Sequence, residues 1–239
     1  MTQSFTTKLG QWKGSLLAFA VGQPAVQVLN MLTGFLLLRW LDKEEYAMLG
    51  VAFAFQATVN QLTDLGFTGS IIALAGERGT EPTWLGRYLR VARHYRARLL
   101  GFTLLGAAIT FPLLVAPHGW GWANTSRLFG SVALAVVAQG WMLYGAPLLV
   151  HRRLAAYYRP QIVGAAARLA LCLALFAVGW LSGWVVAWLG ALVVAFTARS
   201  YRNAAREHVV EPAKVDPEAG REMRRYLAPL MPGDRKSVV

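Results

Sequence analysis

Long apolar runs alternate with short charged ones along this chain. A helix needs about 20 residues to cross a hydrocarbon core of roughly 30 Å. Six stretches approach or exceed that length: 14–40, 46–75, 99–116, 128–150, 160–180 and 183–199. Backbone amides in lipid must be satisfied within their own segment, so each stretch reads as an α-helix. The pattern predicts an all-α membrane protein, with a six-helix bundle over residues 1–199. A cytoplasmic linker (200–221) would follow, then the start of a further helix (222–233) and a short polar tail (234–239). The second stretch is too long for one straight crossing, and Gly66 and Gly69 are the expected bend. Before the third stretch, TWLGRYLRVARHYRARLL sets Trp84, Tyr88, Leu89, Val91 and Tyr95 broadly opposite Arg87, Arg90 and His94. That arrangement suits a helix lying in a membrane interface.

Composition supports lipid as the solvent. The 239 residues are 56% hydrophobic and 15% charged, with a mean hydropathy of +0.40, and a soluble domain would need a more polar surface. The formal net charge of +12 would suit a nucleic-acid binder. The charges, however, fall in blocks between the apolar runs. With the N-terminus and every second connection on one side, that side holds Lys8 and Lys13, Arg78 to Arg98, Arg152, Arg153 and Arg159, and the run from Arg199 to Arg225. The other side holds Lys43 and Arg127. Basic loops stay cytoplasmic, which predicts a multi-pass protein of the cytoplasmic membrane with its N-terminus inside. The basic blocks are topology signals first and anionic-lipid contacts second. Nucleic acid is not an expected partner. Trp12, Trp40, Tyr46, Trp120, Trp122, Trp180 and Trp184 fall near the expected boundaries, as an aromatic belt would. No small-residue cleavage site follows the first apolar run, so it reads as a retained anchor. Cys172 stands alone in an apolar run and forms no disulfide framework.

Candidate chemistry lies in polar residues set into the apolar runs. Gln56, Asn60 and Asp64 share one face at i, i+4 and i+8, and Gln23, Gln27 and Asn30 do the same on the first stretch. Such stripes can hydrogen-bond across packed helices, at roughly 0.6–2 kcal/mol each. Alternatively they line a watery cavity, favoured here because Asp64 has no evident cation at its own depth. Arg168 lies nine residues beyond Arg159, roughly 13–14 Å into the membrane. A guanidinium that deep faces a cavity or a structural partner such as Asp64 rather than lipid, and it suits bidentate phosphate contacts. Arg39, beside Trp40, reads as a snorkelling anchor. Gly183, Ala187, Ala191 and Ala195 form a small-residue packing face. The four histidines show no metal-ligand spacing, and phosphate-loop and nucleophile-elbow motifs are missing, so no catalysis, metal or cofactor is expected.

The run LLRWLDKEEYAMLGVAFAFQATVNQLTDLGFTGSIIALAG resembles the first two spans of polysaccharide flippases of the multidrug/oligosaccharidyl-lipid/polysaccharide exporter superfamily. The resemblance extends loosely over residues 5–233. It implies one lobe of a two-lobe fold that rocks about a central cavity, where cationic residues hold the diphosphate of a polyprenyl-linked oligosaccharide. Carried over by helix and facing, Arg168 would hold that diphosphate, and Gln23, Gln27, Asn30, Gln56, Asn60 and Asp64 would line the sugar path. Family members have at least twelve spans. REMRRYLAPLMPG resembles the opening of a second lobe, and Asp234 to Val239 resemble a translated sequencing adapter, a non-native tail on a protein about twice this length. A natural half-size dimer is the competing account. The expected function is export of lipid-linked polysaccharide precursors, together with a missing C-terminal lobe. The alternatives are a cation-coupled small-molecule exporter with Asp64 as the protonatable site, or a non-transporting membrane scaffold; a membrane-embedded transferase is disfavoured.

Overall fold

A computed structural model describes residues 3–76, 79 and 81–228, with side chains from residue 20 onward. The described residues form nine α-helices and no strand. The first, α1 (Gln3–Trp40), ends where Asp42 takes over as a cap. Its carboxylate accepts from the Glu45 amide at 2.8 Å and starts α2 (Lys43–Asp64). An acidic cap and first turn complement the positive end of a helix.

The long second stretch breaks as the sequence suggests, at a single point. Leu65 (φ 41°) and Gly66 (φ 83°) are both left-handed, and α3 (Phe67–Ala75) starts at once. Gly66 takes that conformation without the Cβ penalty other residues carry. Gly69 lies inside α3 and bends nothing.

The expected interfacial segment and third span are one helix, α4 (Pro82–Val115), with Pro82 at its start. At 1.5 Å per residue its 34 residues reach about 51 Å, well beyond a hydrocarbon core. The apolar face of its first half is covered by protein rather than lipid: Leu85, Tyr88, Leu89 and Val91 are buried in a core shared with α3, α6, α8 and α9. A pattern of basic and apolar faces suits either environment.

Helix α5 (Gly121–Gln139) tightens into a 3₁₀ stretch, Gly140–Tyr144, before α6 (Gly145–Val150). Helices α7 (Leu154–Ala177) and α8 (Gly183–Ala205) follow. A strap over 206–216 leads to α9 (Pro217–Leu227), capped by Asp216. The tail expected to be non-native, 234–239, and the end of the proposed further helix lie outside the described residues.

Helix α8 is central. It packs on α5, α7 and α2, while α1 lies chiefly along α7. Its small-residue face serves that role: a Cβ on Gly183 would sit 2.4 Å from the Glu45 carbonyl, and Ala187 and Ala191 are buried. Five segments are long and apolar enough to cross a membrane: Ala20–Trp40, Pro82–His118, Gly121–Val150, Leu154–Ala177 and Gly183–Ala205. Helix α2 is not among them, since charges at its ends and amides along it lower its hydropathy. On α4, Phe102, Leu105, Ile109 and Leu113 form an exposed apolar stripe at helical spacing.

Candidate anion cleft

The first half of α4 carries arginine at every third position: Arg87, Arg90, Arg93 and Arg96. Three residues turn a helix by about 300°, so the series drifts about 60° per step. Arg87 and Arg96 therefore point to nearly opposite sides. Arg87 reaches Asp216 and, at 3.6 Å, Glu218 at the start of α9. Arg93 binds Glu211 of the strap at 2.7 Å and donates to the Tyr144 hydroxyl at 2.8 Å, and Tyr144 in turn donates to Glu211. Arg90 is 3.9 Å from the same carboxylate. The strap is held by its backbone as well: the Val210 amide donates to the Pro82 carbonyl at 3.0 Å, and Gly86 leaves room for the Val210 carbonyl.

Arg96 turns inward. Its side chain is 5% exposed, and Nη1 donates to Asp64 Oδ1 at 3.0 Å. Asp64 is the last residue of α2, where the negative end of the helix disfavours a carboxylate. Arg96 supplies the compensating charge, and Thr68, one turn past the break, donates to the same oxygen at 3.1 Å. The carboxylate remains 37% exposed.

Two cavities meet at Arg96. One, about 380 Å³, is walled by Asn60, Asp64, Thr68, Arg96 and Gln139. The other, about 360 Å³, runs along α4 past Arg90, Arg93, His94 and Arg96 to Trp141. Asn60 Oδ1 is buried with no hydrogen-bond partner among the described residues. Taken together as a cleft that shares Arg96, they carry amides and a carboxylate in one part and three arginines with His94 along the other. Guanidiniums arranged this way suit a multiply charged anion with several acceptor oxygens.

The sequence-selected residues are distributed over three places. Asn60 and Asp64 line the cleft. Gln56, half-buried on the same helix, lines neither cavity. Gln23, Gln27 and Asn30 are exposed on α1, which lies along α7 rather than beside the α2 stripe. Arg168 sits apart from Asp64. Its guanidinium lies 5.2 Å from the Phe53 ring centre, close to Gly190 of α8, and Nε is buried without a partner among the described residues. The cation at Asp64 is Arg96, which corrects the expectation that none lay at its depth. The signal lies in the three-residue arginine period of α4, which turns Arg96 to the side nearly opposite Arg87. Comparison with protein-family models, with curated proteins and with solved structures gave no match.

Proposed function

We propose that this chain is a membrane-embedded lobe of an exporter for lipid-linked polysaccharide precursors. In this reading it has six spans in the cytoplasmic membrane, an N-terminus inside, and a second lobe as partner. The observation that carries the reading is the cleft, where Arg90, Arg93 and Arg96 line one cavity and Arg96 also reaches the Asp64 carboxylate of the other. A diphosphate would take the guanidiniums, and the sugar would meet Asn60, Asp64 and Gln139. Arg168 is a deeper cation that the head group would reach later on its path. Glu211 is the resident counter-ion of Arg90 and Arg93, so an entering diphosphate exchanges with it rather than meeting bare charge.

Binding tests this directly. The full chain in nanodiscs is expected to bind a polyprenyl diphosphate at least about tenfold more tightly than the matching polyprenyl alcohol, as two or three charge-assisted contacts would give. Arg90→Gln and Arg96→Gln should each reduce that preference. Arg90 is the safer variant, being partly exposed and distant from Asp64. Equal binding of diphosphate and alcohol by the wild-type chain removes the basis of the proposal.

A second reading has one observation in its favour. Asp64 is open to the cleft while its partner Arg96 is buried. That suits a cation-coupled exporter of small molecules. It requires proton-dependent uptake in inside-out vesicles that Asp64→Asn abolishes; uptake indifferent to that change refutes it.

A further inference from the structure

Helix α4 changes character at Arg98. Five arginines lie between Arg87 and Arg98, and none of the residues from Leu99 to Val115 is charged. In the membrane reading, Arg98 marks the level where phosphate groups give way to hydrocarbon. At that level a groove of about 400 Å³ opens between the α2–α3 break, α4 and the last turn of α9. Its wall is almost wholly apolar, from Phe67, Leu99, Phe102, Met223 and Leu227, and two guanidiniums stand at its edge, Arg98 and Arg224. Both arginines are exposed, and neither forms an ion pair among the described residues. The neighbouring acids of α9 are engaged elsewhere, Glu218 with Arg87 and Glu222 with the Tyr88 hydroxyl. Away from Arg98 the groove continues into the exposed stripe Phe102, Leu105 and Ile109, which are 77%, 66% and 60% exposed. Seven residues of helix span about 10 Å along that stripe, the reach of a substantial part of an acyl chain.

We propose that this groove binds one anionic phospholipid. Its phosphate sits between Arg98 and Arg224, and one acyl chain lies in the groove and along the α4 stripe. Charge complementarity selects the head group, and the apolar wall selects a lipid over a free anion. Because Arg224 belongs to α9, the lipid also ties that helix and the strap before it to the bundle. The proposal rests on the chain lying in a membrane and is independent of what, if anything, it transports.

Native mass spectrometry of the full chain tests it, with release from micelles containing dioleoyl phosphatidylglycerol or dioleoyl phosphatidylcholine. One phosphatidylglycerol should be retained about tenfold more strongly than phosphatidylcholine, and the Arg98→Gln/Arg224→Gln pair should abolish the difference. Arg225→Gln removes the same charge from α9 outside the groove and should leave it intact. Leu99→Trp, which fills the groove without touching charge, should lower retention. Equal retention of the two lipids, or an equal loss in Arg225→Gln, overturns the site. Displacement by millimolar inorganic phosphate assigns the arginines to a free anion and also overturns it. A wild-type chain that stays monomeric in buffer without detergent or lipid overturns the membrane reading as well; the other outcomes leave that reading standing.

Discussion

Buried guanidiniums set the energetics of individual residues here. Removing one member of a buried ion pair strands the other, which costs about 3–5 kcal/mol, whereas replacing both with apolar groups is often neutral. Arg96 is the buried member and Asp64 the half-open one, so the two single changes differ. Asp64→Ala leaves a desolvated cation on the cleft wall, and its melting temperature in detergent should fall by several degrees. Arg96→Met leaves a carboxylate that water can reach, and should cost less. The Asp64→Ala/Arg96→Met pair should recover most of the loss from Asp64→Ala alone. Additive losses would show that the 3.0 Å contact contributes no coupling. Arg168 is a different case. Its buried Nε lacks a partner among the described residues, and Phe53 offers only a ring face at 5.2 Å. Such a residue is costly to retain in a membrane, and is usually retained for function.

Among the elements, the strap over 206–216 departs furthest from what the sequence suggests. As a linker it carries three acids and one proline, and nothing in its pattern implies attachment. Attachment comes from its partners: Glu211 on Arg93, Asp216 on Arg87, and the Val210 backbone against Gly86. A histidine pair adds a pH term. His208 of the strap packs against His151 in the turn between α6 and α7, with ring centres 4.7 Å apart and planes tilted by 32°. Burial first, then His208 and Arg153, holds His151 below its ordinary value of 6.5. In the unfolded chain this group takes up a proton near 6.5, and in the folded chain only at lower pH. Its linkage therefore costs nothing above 6.5, and stability falls as pH drops below that value. Melting temperature should be flat from pH 8 to 7 and then decline towards pH 5.5, a decline that His151→Gln reduces. An unchanged slope in that variant would place the titration elsewhere. Asp216 acts in a separate window. Burial opposes its charge, but the Glu218 amide and Arg87 outweigh it and hold its pKa below 3.8, so its contribution is lost only in stronger acid.

For the whole molecule, the sequence made hydrophobic lengths legible and left neighbours illegible. The break at Leu65–Gly66 and the small-residue face of α8 follow from local composition and appear where the pattern puts them. Five of the six expected spans correspond to segments long and apolar enough to cross a membrane, the third expected stretch starting at Pro82 rather than residue 99; the broken second stretch does not. Which helices touch depends on pairings between distant segments, and no periodicity encodes that. The two amide stripes accordingly do not meet, because α1 lies along α7. Half of the cleft was visible as Asn60 and Asp64; its cationic wall was hidden within a segment whose basic residues suited the inner surface equally well.

One labelling experiment addresses the whole arrangement at once, because the only native thiol is silent. Cys172 is fully buried, so the wild-type chain should not react with a membrane-impermeant maleimide. Asn60→Cys places a thiol on the cleft wall and should label in inside-out vesicles. Leu105→Cys is the informative contrast. At 66% exposed it is the more accessible position by geometry, yet it belongs to the apolar stripe of α4 and should resist an aqueous reagent when acyl chains cover that stripe. Gln27→Cys on α1 then reports whether the first polar stripe faces water or lipid. Labelling of residue 60 with protection of residue 105 means a wet cleft inside an oil-facing bundle, as an exporter lobe requires. Equal labelling of both places the stripe in water, and resistance at residue 60 leaves a dry scaffold.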